Sequence, residues 1–422
     1  MRKLYTLFHY LMLPALFLRL VWRGTRNPGY WRRWPERLGR GAKIPAERKV
    51  VWIHAVSVGE VQASLPIIDA IRKRLPDATL LVTTTTPTGS SRITQSLGES
   101  VAHCYLPYDL PGSVRRFLDR AHPSLAVIME TELWPNLFHA CSARGVPVLL
   151  ANVRLSERSA AGYRRFSPLV REMLAGVTRI AAQGKRDAGR LIELGADPEK
   201  ITVTGSVKFD VHIPPSLREE AASLRRRFGA GRSVWIAAST HDGEEGMVLD
   251  AFRSVREIIP ETLLIVVPRH PERFGIAEAM VKRAGWRYAL RSHMPPSLED
   301  RDVLVGDTMG ELQMLYATSD VAFVGGSLVP VGGHNMLEPA ALGIPVVVGN
   351  HVFNFQEISA RLVGLAIARQ VSSPGELAAA VTELLKDANQ RHNVGEAAKR
   401  FVEENRGARE KVMALIGPLL EQ

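Results

Sequence analysis

Cysteine is scarce in this 422-residue sequence, which contains only Cys104 and Cys141. A disulfide framework needs more cysteines, and a structural zinc site needs closely spaced cysteine or histidine ligands. The two cysteines lie far apart, and the 12 histidines show no spacing typical of a zinc site. We therefore expect two buried free thiols in a reducing compartment and no bound metal.

Two further motifs are missing. No G-x-G-x-x-G follows the first predicted strand, where a nicotinamide enzyme would carry it, and this disfavours a dehydrogenase. The apolar segment at residues 4–22 has no small-residue cleavage site, so we do not expect a cleaved signal peptide.

Positive charge is in excess. The sequence has 54 Lys and Arg against 43 Asp and Glu, a net charge of +11 that is spread along the chain. This balance indicates an anionic partner: a membrane surface, a phosphorylated ligand or nucleic acid. The hydrophobic content of 46% and charged content of 23% are typical of a folded globular protein, and the length suits two domains.

The segment at residues 4–22 barely reaches the roughly 20 apolar residues that span a bilayer, and it contains His9, Pro14 and Arg19. It could span the membrane as an uncleaved signal anchor, lie in the interface as an aromatic, basic helix, or be a buried helix of a soluble protein. Arginines crowd the residues that follow, up to Arg40. They predict that the rest of the chain is cytoplasmic and close to anionic lipid headgroups.

From residue 50 onward, short apolar runs alternate with helical patterns, which predicts an α/β protein with parallel sheets covered by helices on both faces. The sequence predicts a turn at 57–60 before a helix from Val61, and a helix from Gly310. The predicted strands, besides those in the 320–349 stretch, are 50–55, 80–84, 125–129, 146–150, 178–182, 201–204, 234–238, 263–267 and 303–305. The alternation breaks at residues 208–231, where a charged run follows Pro214-Pro215, and restarts after it. We predict a membrane anchor and basic segment at 1–40 and two facing, doubly wound Rossmann-like domains at 41–207 and 232–422. Residues 208–231 would link them, and the last helix could pack back on the first domain.

The stretch from Asp320 to Gly349 is the most informative. A predicted strand at Val321–Val324 ends in Gly325-Gly326, and a predicted helix begins at Asn335 with Glu338 three residues later. Glycine loops and helix N-termini offer backbone N–H groups to phosphates. Alternatively, Asn335 and Glu338 form only a capping box and the glycines only turns.

In doubly wound sheets, ligands bind beyond the carboxyl ends of the strands. The polar candidates at such ends in this sequence are Glu60, Glu130, Ser239, Arg269, Met309–Glu311 and the 325–338 region.

Several stretches resemble a known family. E-P-x-x-x-G-x-P-V at residues 338–346, in the second of two such domains, resembles the GT-B glycosyltransferases. The motifs that narrow the resemblance to the 3-deoxy-D-manno-octulosonic acid (Kdo) transferases are HAVSVGEVQAS at 54–64, METELWPN at 129–136, GSVKFD at 205–210, PRHPERF at 268–274, DTMGEL at 307–312 and GGHNMLEP at 332–339. The resemblance covers nearly the whole chain.

The resemblance implies an inverting enzyme that moves Kdo from CMP-Kdo to a lipid A precursor, lipid IVA, at the cytoplasmic side of the cell inner membrane. The implied enzyme needs no cofactor and binds no nucleic acid. Its partners would be the donor, the acceptor and membrane lipids. Glu60 would be the general base, and Glu130 and Lys208 would support the transition state. The residues implied to bind the CMP part of the donor are Pro268, Arg269, Met309, Gly310, Glu311, Asn335, Met336, Leu337 and Glu338.

Alternatives remain at this stage. Glu60 could simply cap the helix that it opens, Glu130 could be a loop carboxylate, and Lys208 a solvated linker lysine. The chain could also be a GT-B transferase for another nucleotide sugar, or a non-enzymatic membrane protein that binds lipid A. The first alternative predicts that UDP rather than CMP protects the protein against heat. The second predicts that the protein binds the lipid A precursor without releasing CMP.

Overall fold

The computed structural model describes residues 1–41, 43–45 and 47–421. The chain divides into two compact units, which we call the first unit, Met1–Asp210 with Asn405–Gln422, and the second unit, Val211–Glu404.

The first unit contains a parallel sheet of seven strands. In chain order they are β1 (Val50–His54), β2 (Thr79–Thr84), β3 (Ala102–Tyr105), β4 (Pro123–Met129), β5 (Val148–Val153), β6 (Arg179–Ala182) and β7 (Ile201–Val203). Their order across the sheet is β3-β2-β1-β4-β5-β6-β7. Both faces are buried: Val50 and Trp52 of β1 join one apolar cluster, and Val51 and Ile53 join the other. Alternate residues of a strand point to opposite faces, which explains the unbroken apolar runs.

Helices cover this sheet. They are α1 (Arg2–Arg26), α2 (Trp34–Arg37), α3 (Val58–Arg74), α4 (Pro87–Leu97), α5 (Pro111–Ala121), α6 (Pro135–Ala143), α7 (Glu157–Arg164), α8 (Ser167–Ala175) and α9 (Lys185–Glu193).

The second unit repeats the plan. Its strands are β8 (Val234–Thr240), β9 (Leu263–Pro268), β10 (Tyr288–Leu290), β11 (Val303–Val305), β12 (Val321–Val324), β13 (Val346–Val348) and β14 (Ala368–Gln370), in the order β10-β11-β9-β8-β12-β13-β14. Its helices are α10 (Leu217–Arg226), α11 (Glu244–Ile258), α12 (Phe274–Arg283), α13 (Leu312–Ala317), α14 (Leu337–Ala341), α15 (Gln356–Gly364), α16 (Pro374–Lys386) and α17 (Ala388–Glu404).

The last helix, α18 (Ala408–Leu420), belongs to the first unit. Its residues Val412 and Ile416 are buried in the apolar cluster that contains Val51 of β1. The carboxylate of Asp210 accepts hydrogen bonds from the backbone N–H groups of Gly407 (2.7 Å) and Arg409 (2.6 Å) at the start of α18. The final helix is therefore tied to the first unit by both apolar packing and an acidic cap.

The segment 208–231, which we predicted to be a connector with one short helix, does contain a helix, α10, but most of it belongs to the second unit. The boundary between the units falls at Asp210/Val211, and α10 buries Leu217, Ala221 and Leu224. Leu224 lies in the same cluster as Val234 of β8, so most of the segment is part of the second unit's core. The charged run that suggested a connector is the exposed face of an amphipathic helix.

Both sheets have a point at which the chain reverses its direction of winding. After β1 the chain moves outward to β2 and β3 and then returns to β4 on the other side of β1; β8 and β12 have the same relation in the second unit. Ligands of doubly wound proteins bind outside the carboxyl ends of the strands at such switch points. This rule selects the residues after β1 and β4, and those after β8 and β12.

Candidate active site

Glu60 follows β1 in the first turn of α3. We expected a tight turn at residues 57–60, but the helix already begins at Val58 with Ser57 as its N-cap. The Ser57 hydroxyl accepts from the backbone N–H of Glu60 (3.3 Å) and donates to Glu60 Oε1 (2.9 Å). The backbone N–H of Val56 donates to Glu60 Oε2 (2.8 Å). The arrangement is a capping box, as the alternative interpretation of Glu60 proposed.

The capping box leaves Glu60 able to act as a base. Glu60 is only 7% exposed, and this burial raises the pKa of its carboxyl. The hydrogen bonds from Val56 and Ser57 lower the pKa and the negative charge of Glu130 raises it, and the net result is a raised pKa. Each carboxylate oxygen accepts one of these bonds and keeps a second lone pair. A proton acceptor that is more basic than an exposed glutamate therefore lies at the switch point of the first unit.

Glu130 and Lys208 lie close to each other. Glu130 comes directly after β4, with φ of +57° and its N–H bonded to the carbonyl of Ala151 (2.8 Å). Lys208 Nζ lies 4.0 Å from Glu130 Oε1. The lysine is in a short helical turn whose first residue, Val207, donates its N–H to the buried Asn152 Oδ1 (3.2 Å). A positive φ at a non-glycine residue costs of order 1–3 kcal/mol and is common at functional sites.

Glu132 is a third carboxylate that our sequence reasoning missed. Its burial, together with the charges of Glu60 and Glu130, raises its pKa to about 7. The E-x-E pattern directly after a buried strand was the available signal. Three carboxyl groups that repel one another beside a single lysine destabilise the fold. Such clusters with perturbed pKa values are typical of functional sites.

In the second unit, Arg269 follows β9 and stands next to three histidines. His241 Nε2 and His334 Nε2 are 2.7 Å apart with nearly parallel rings, and the ring of His270 lies 5.4 Å from that of His241. Burial, together with the charges of Arg269, His241 and His270, lowers the pKa of His334 to about 3. His334 is therefore neutral at neutral pH, and one ring of the pair donates the shared hydrogen bond while the other accepts it.

The loop at residues 325–333, which we call the glycine loop, differs from one expectation. The backbone N–H groups of Gly326 (2.7 Å), Ser327 (3.1 Å) and Leu328 (2.9 Å) all donate to the carboxylate of Glu244. Glu244 is completely buried at the start of α11. The prediction that these N–H groups are open to a phosphate is wrong, because an internal carboxylate takes that place.

The predicted donor segment at residues 335–338 starts its helix later than we expected. α14 begins at Leu337 rather than next to Asn335. Asn335 Oδ1 accepts from the N–H of Leu337 (3.1 Å), and Asn335 Nδ2 donates to Glu338 Oε1 (3.0 Å). Met336 and Leu337 are completely buried as whole residues, so they lie beneath Asn335 and Glu338 rather than at the surface.

The predicted donor segment at residues 309–311 lies between β11 and α13. The helix that we predicted from Gly310 begins at Leu312, because Gly310 has φ of +86°, outside the helical region. Met309 is exposed, whereas Glu311 is held by Arg291 (2.6 Å) and by the hydroxyl of Thr308.

Each unit therefore gathers one set of predicted residues. In the first unit, Glu60, Glu130 and Lys208 lie at the carboxyl edge of the sheet, where β1 and β4 are neighbours. In the second unit, β11, β9, β8 and β12 are consecutive in the sheet. That order brings 309–311, Pro268-Arg269 and 335–338 to one edge.

Two seven-stranded, doubly wound parallel sheets with polar residues at their switch points define the GT-B class of glycosyltransferase fold. Solved structures agree. Anabaena Alr3699/HepE in complex with UDP has a TM-score of 0.54 at 15% identity, covering 88% of this chain and 100% of that one. UDP-GlcNAc 2-epimerase from Neisseria meningitidis has a TM-score of 0.54 at 12% identity, covering 89% and 100%. At this identity the likeness concerns the fold alone.

Sequence comparison is more specific. Residues 32–211 match the family model described as 3-deoxy-D-manno-octulosonic-acid transferase (kdotransferase), and residues 298–401 match that of glycosyl transferases group 1. The 3-deoxy-D-manno-octulosonic acid transferase of Haemophilus influenzae is 40% identical, covering 100% of this chain and 99% of that protein. The transferase of Bordetella pertussis is 37% identical over 98% of both. The chain belongs to the Kdo transferase family and is a glycosyltransferase.

Proposed function

We propose that this enzyme transfers Kdo from CMP-Kdo to a lipid A precursor, lipid IVA, with inversion at the anomeric carbon. We assign activation of the acceptor to the first unit and binding of the donor to the second, on the cytoplasmic side of the cell inner membrane. The observation that carries the proposal is the placement of Glu60. A nearly buried carboxylate stands at a switch point, in a chain that is 40% identical to a Kdo transferase over its whole length.

Glu60 would take the proton of the acceptor hydroxyl as that oxygen attacks the anomeric carbon of Kdo. General-base catalysis needs a carboxylate that is ionised and yet basic enough to accept a proton. The burial of Glu60 and its repulsion by Glu130 supply the basicity, and the hydrogen bonds from Val56 and Ser57 favour the ionised form and fix its orientation.

Glu130 and Lys208 would act as one unit. The ammonium group at 4.0 Å from Glu130 is positioned by that carboxylate, and its charge would stabilise negative charge that develops in the transition state. Lys208 also belongs to a turn that is fixed through Asn152, which would limit how far the ammonium can move.

The donor would bind at the carboxyl edge of the second sheet. Arg269 offers a cation to the phosphate of CMP, and the carboxylate of Glu338, oriented by Asn335, offers acceptors to the ribose hydroxyls. The 309–311 segment and Pro268 would complete the CMP site, and the buried Met336 and Leu337 would act by positioning Asn335 and Glu338. We propose that no resident metal or other cofactor takes part, since Arg269 can meet the charge of the leaving phosphate.

The test is analysis of the products by mass spectrometry after incubation with CMP-Kdo and purified lipid IVA. We expect a lipid product that carries Kdo and an equal amount of free CMP. A product formed only with a UDP-sugar, or binding of the lipid without release of CMP, would favour one of the two alternative functions.

A further inference from the structure

The N-terminal helix α1 has two distinct faces along its whole length. Residues with reduced exposure recur every three or four positions, the spacing of one face of a helix. They are Arg2, Tyr5, Thr6, His9, Leu13, Leu16, Phe17, Leu20, Arg23 and Gly24. A helix that stands free of its domain would show no such pattern, so this face is packed against the first unit from one end to the other.

The packed face makes specific contacts near its beginning. Thr6 Oγ1 donates to Oδ1 of Asn136 (3.0 Å), a buried residue of α6. The Tyr5 hydroxyl lies beside the buried Asp109, and burial together with that negative charge raises the pKa of the tyrosine. Asp109 in turn accepts from the backbone N–H groups of Asn136 (2.9 Å) and Leu137 (2.8 Å).

The contacts continue to the end of the helix. The ring of Phe17 lies 5.3 Å from that of Trp34 and 6.0 Å from that of Tyr108. Trp31 Nε1 donates to the carbonyl of Val21 (3.0 Å), and its indole lies so close to Gly24 that a Cβ at this position would overlap it. Glycine at position 24 therefore allows the chain to fold back against the end of α1.

The opposite face of α1 is apolar and exposed. Its large side chains, 38–71% exposed, are Leu4, Leu7, Phe8, Tyr10, Leu11, Met12, Leu18, Val21 and Trp22. We call this set the apolar stripe. Lys3, Arg19 and Arg26 are exposed beside it, and the Arg26 guanidinium lies over the ring of Trp22 (5.0 Å). A continuous apolar surface of this size marks an interaction site rather than ordinary protein surface.

The helix is long and apolar enough to cross a membrane. A spanning helix, however, would have to leave the first unit over about 20 residues. That separation would break the Thr6–Asn136 hydrogen bond and uncover Asp109 together with the rings that face Phe17. The uncovered rings would then be exposed to water, and the Thr6 hydroxyl would lose its side-chain partner. The packed face thus opposes spanning, while the apolar stripe needs a cover.

We propose that α1 lies in the plane of a bilayer surface, with the apolar stripe inserted among anionic lipids and the packed face kept on the first unit. Exposed cations beside an apolar face with an aromatic ring at its end, and a net charge of +11, complement an anionic membrane. The inference rests on the proposed function only because a lipid acceptor would require a membrane-bound enzyme.

The first test is disulfide trapping in vesicles that contain phosphatidylglycerol. A T6C/N136C variant of the full chain, whose own Cys104 and Cys141 are buried, should form its cross-link as completely on vesicles as in detergent. The matched control is L11C/N136C, because Leu11 is on the exposed face and should not cross-link. Loss of the T6C/N136C cross-link on vesicles alone would overturn the proposal.

The second test is sidedness. A protease-cleavable tag placed before Met1 should be removed by protease added outside sealed vesicles that carry the bound enzyme. A tag that is protected until detergent is added would mean that α1 spans, and the proposal would be wrong.

The third test removes the apolar stripe. An L11D/L18D variant should bind the vesicles at least about a hundredfold more weakly at an unchanged melting temperature, because burial of each leucine contributes about tenfold or more. L365D, which alters an exposed leucine of the second unit, should bind like the parent. Equal binding by L11D/L18D and the parent would exclude the apolar stripe as the contact. None of these readouts uses turnover, so their failure would leave the proposed reaction standing.

Discussion

At the scale of the residue, Glu60 has two tasks that can be separated, because the chain contains the same cap twice. In α16, Glu376 accepts from the N–H of Ser372 (2.7 Å) and its hydroxyl (2.8 Å), while Ser373 caps the helix. The arrangement is similar to that at Glu60, where the hydroxyl donor is instead the N-cap Ser57, but Glu376 is exposed and not part of any predicted site. Glu376 therefore reports what the cap alone contributes.

We expect Glu60→Gln to lower turnover by about 10²–10⁴, since it removes a general base but keeps an oxygen that can accept the N–H of Val56. CMP affinity should stay unchanged. Glu376→Gln should lower stability slightly, because its hydrogen bonds to Ser372 lower the pKa of Glu376 and so favour its charged form, and should leave turnover intact. Steady-state kinetics measure the turnover of the two variants, and thermal melting measures their stability. A Glu60→Gln enzyme with the parent's turnover would show that Glu60 only caps the helix.

Glu132 leads to a prediction about pH. Its pKa is raised in the folded protein to about 7 from an unfolded value of 4.5, so folding favours the protonated carboxyl. Its contribution to stability is therefore complete below about pH 4.5 and is lost as the pH rises through 7. Glu132→Gln cannot ionise and should melt higher than the parent at pH 8 but not at pH 4.5. The same melting difference at both pH values would contradict this account.

The residues predicted to bind CMP can be tested by substitution. Arg269→Ala and Glu338→Ala should each lower CMP affinity by about ten- to a hundredfold, the effect of losing one charge-assisted contact. Calorimetric titration with CMP measures this directly. Arg283→Ala, which alters an exposed arginine at the end of α12, is the control and should bind CMP normally. Normal affinity in both test variants would exclude these residues from the CMP site.

At the scale of the element, the glycine loop depends on a residue that we do not expect to touch the ligand. Glu244 holds the N–H groups of three successive loop residues, 326–328, and the same loop leads to His334 and Asn335. Glu244→Ala would leave these donors without their acceptor. We expect this variant to lose CMP binding at least as severely as Arg269→Ala, with a lower melting temperature. Unchanged CMP affinity would show that the loop keeps its shape without the carboxylate.

The strands show which elements a sequence can reveal. Central strands such as β1, β4 and β8 were predicted because both of their faces are buried, which produces unbroken apolar runs. The three strands that we missed, β3, β10 and β14, are all at sheet edges and carry partly exposed residues. An edge strand is covered less completely, so its sequence lacks the apolar run that identifies a strand.

The site could be predicted only in part, for a related reason. Glu60, Glu130 and Arg269 each follow a recognisable strand, so their position at a sheet edge follows from the sequence. The bonds that Glu244 accepts from residues 326–328 and the contact of His241 with His334 join positions 82 to 93 residues apart, and no local sequence pattern indicates them. The helix start at Val58 was misplaced because Gly59, in the first turn, is a poor helix former. The start at Leu337 was misplaced because asparagine is a typical N-cap residue, whereas the N-cap in the structure is Met336.

At the scale of the whole molecule, the account assigns acceptor chemistry to one unit and donor binding to the other, with no resident metal. Turnover in the presence of a strong chelator should therefore equal turnover in its absence. The control is a parallel assay with added Mg²⁺, which should give no stimulation. Loss of activity with the chelator and recovery on addition of metal would contradict the proposed role of Arg269 as the group that meets the phosphate charge.

The central claim is tested most directly by mass spectrometry of the lipid product formed from CMP-Kdo and purified lipid IVA, with parent and Glu60→Gln enzymes side by side. The account predicts that the parent converts lipid IVA to a species heavier by Kdo, releases CMP in equal amount, and that Glu60→Gln binds CMP but forms almost no product. Unmodified lipid IVA with the folded parent, or Kdo transfer by Glu60→Gln at the parent's rate, would contradict it.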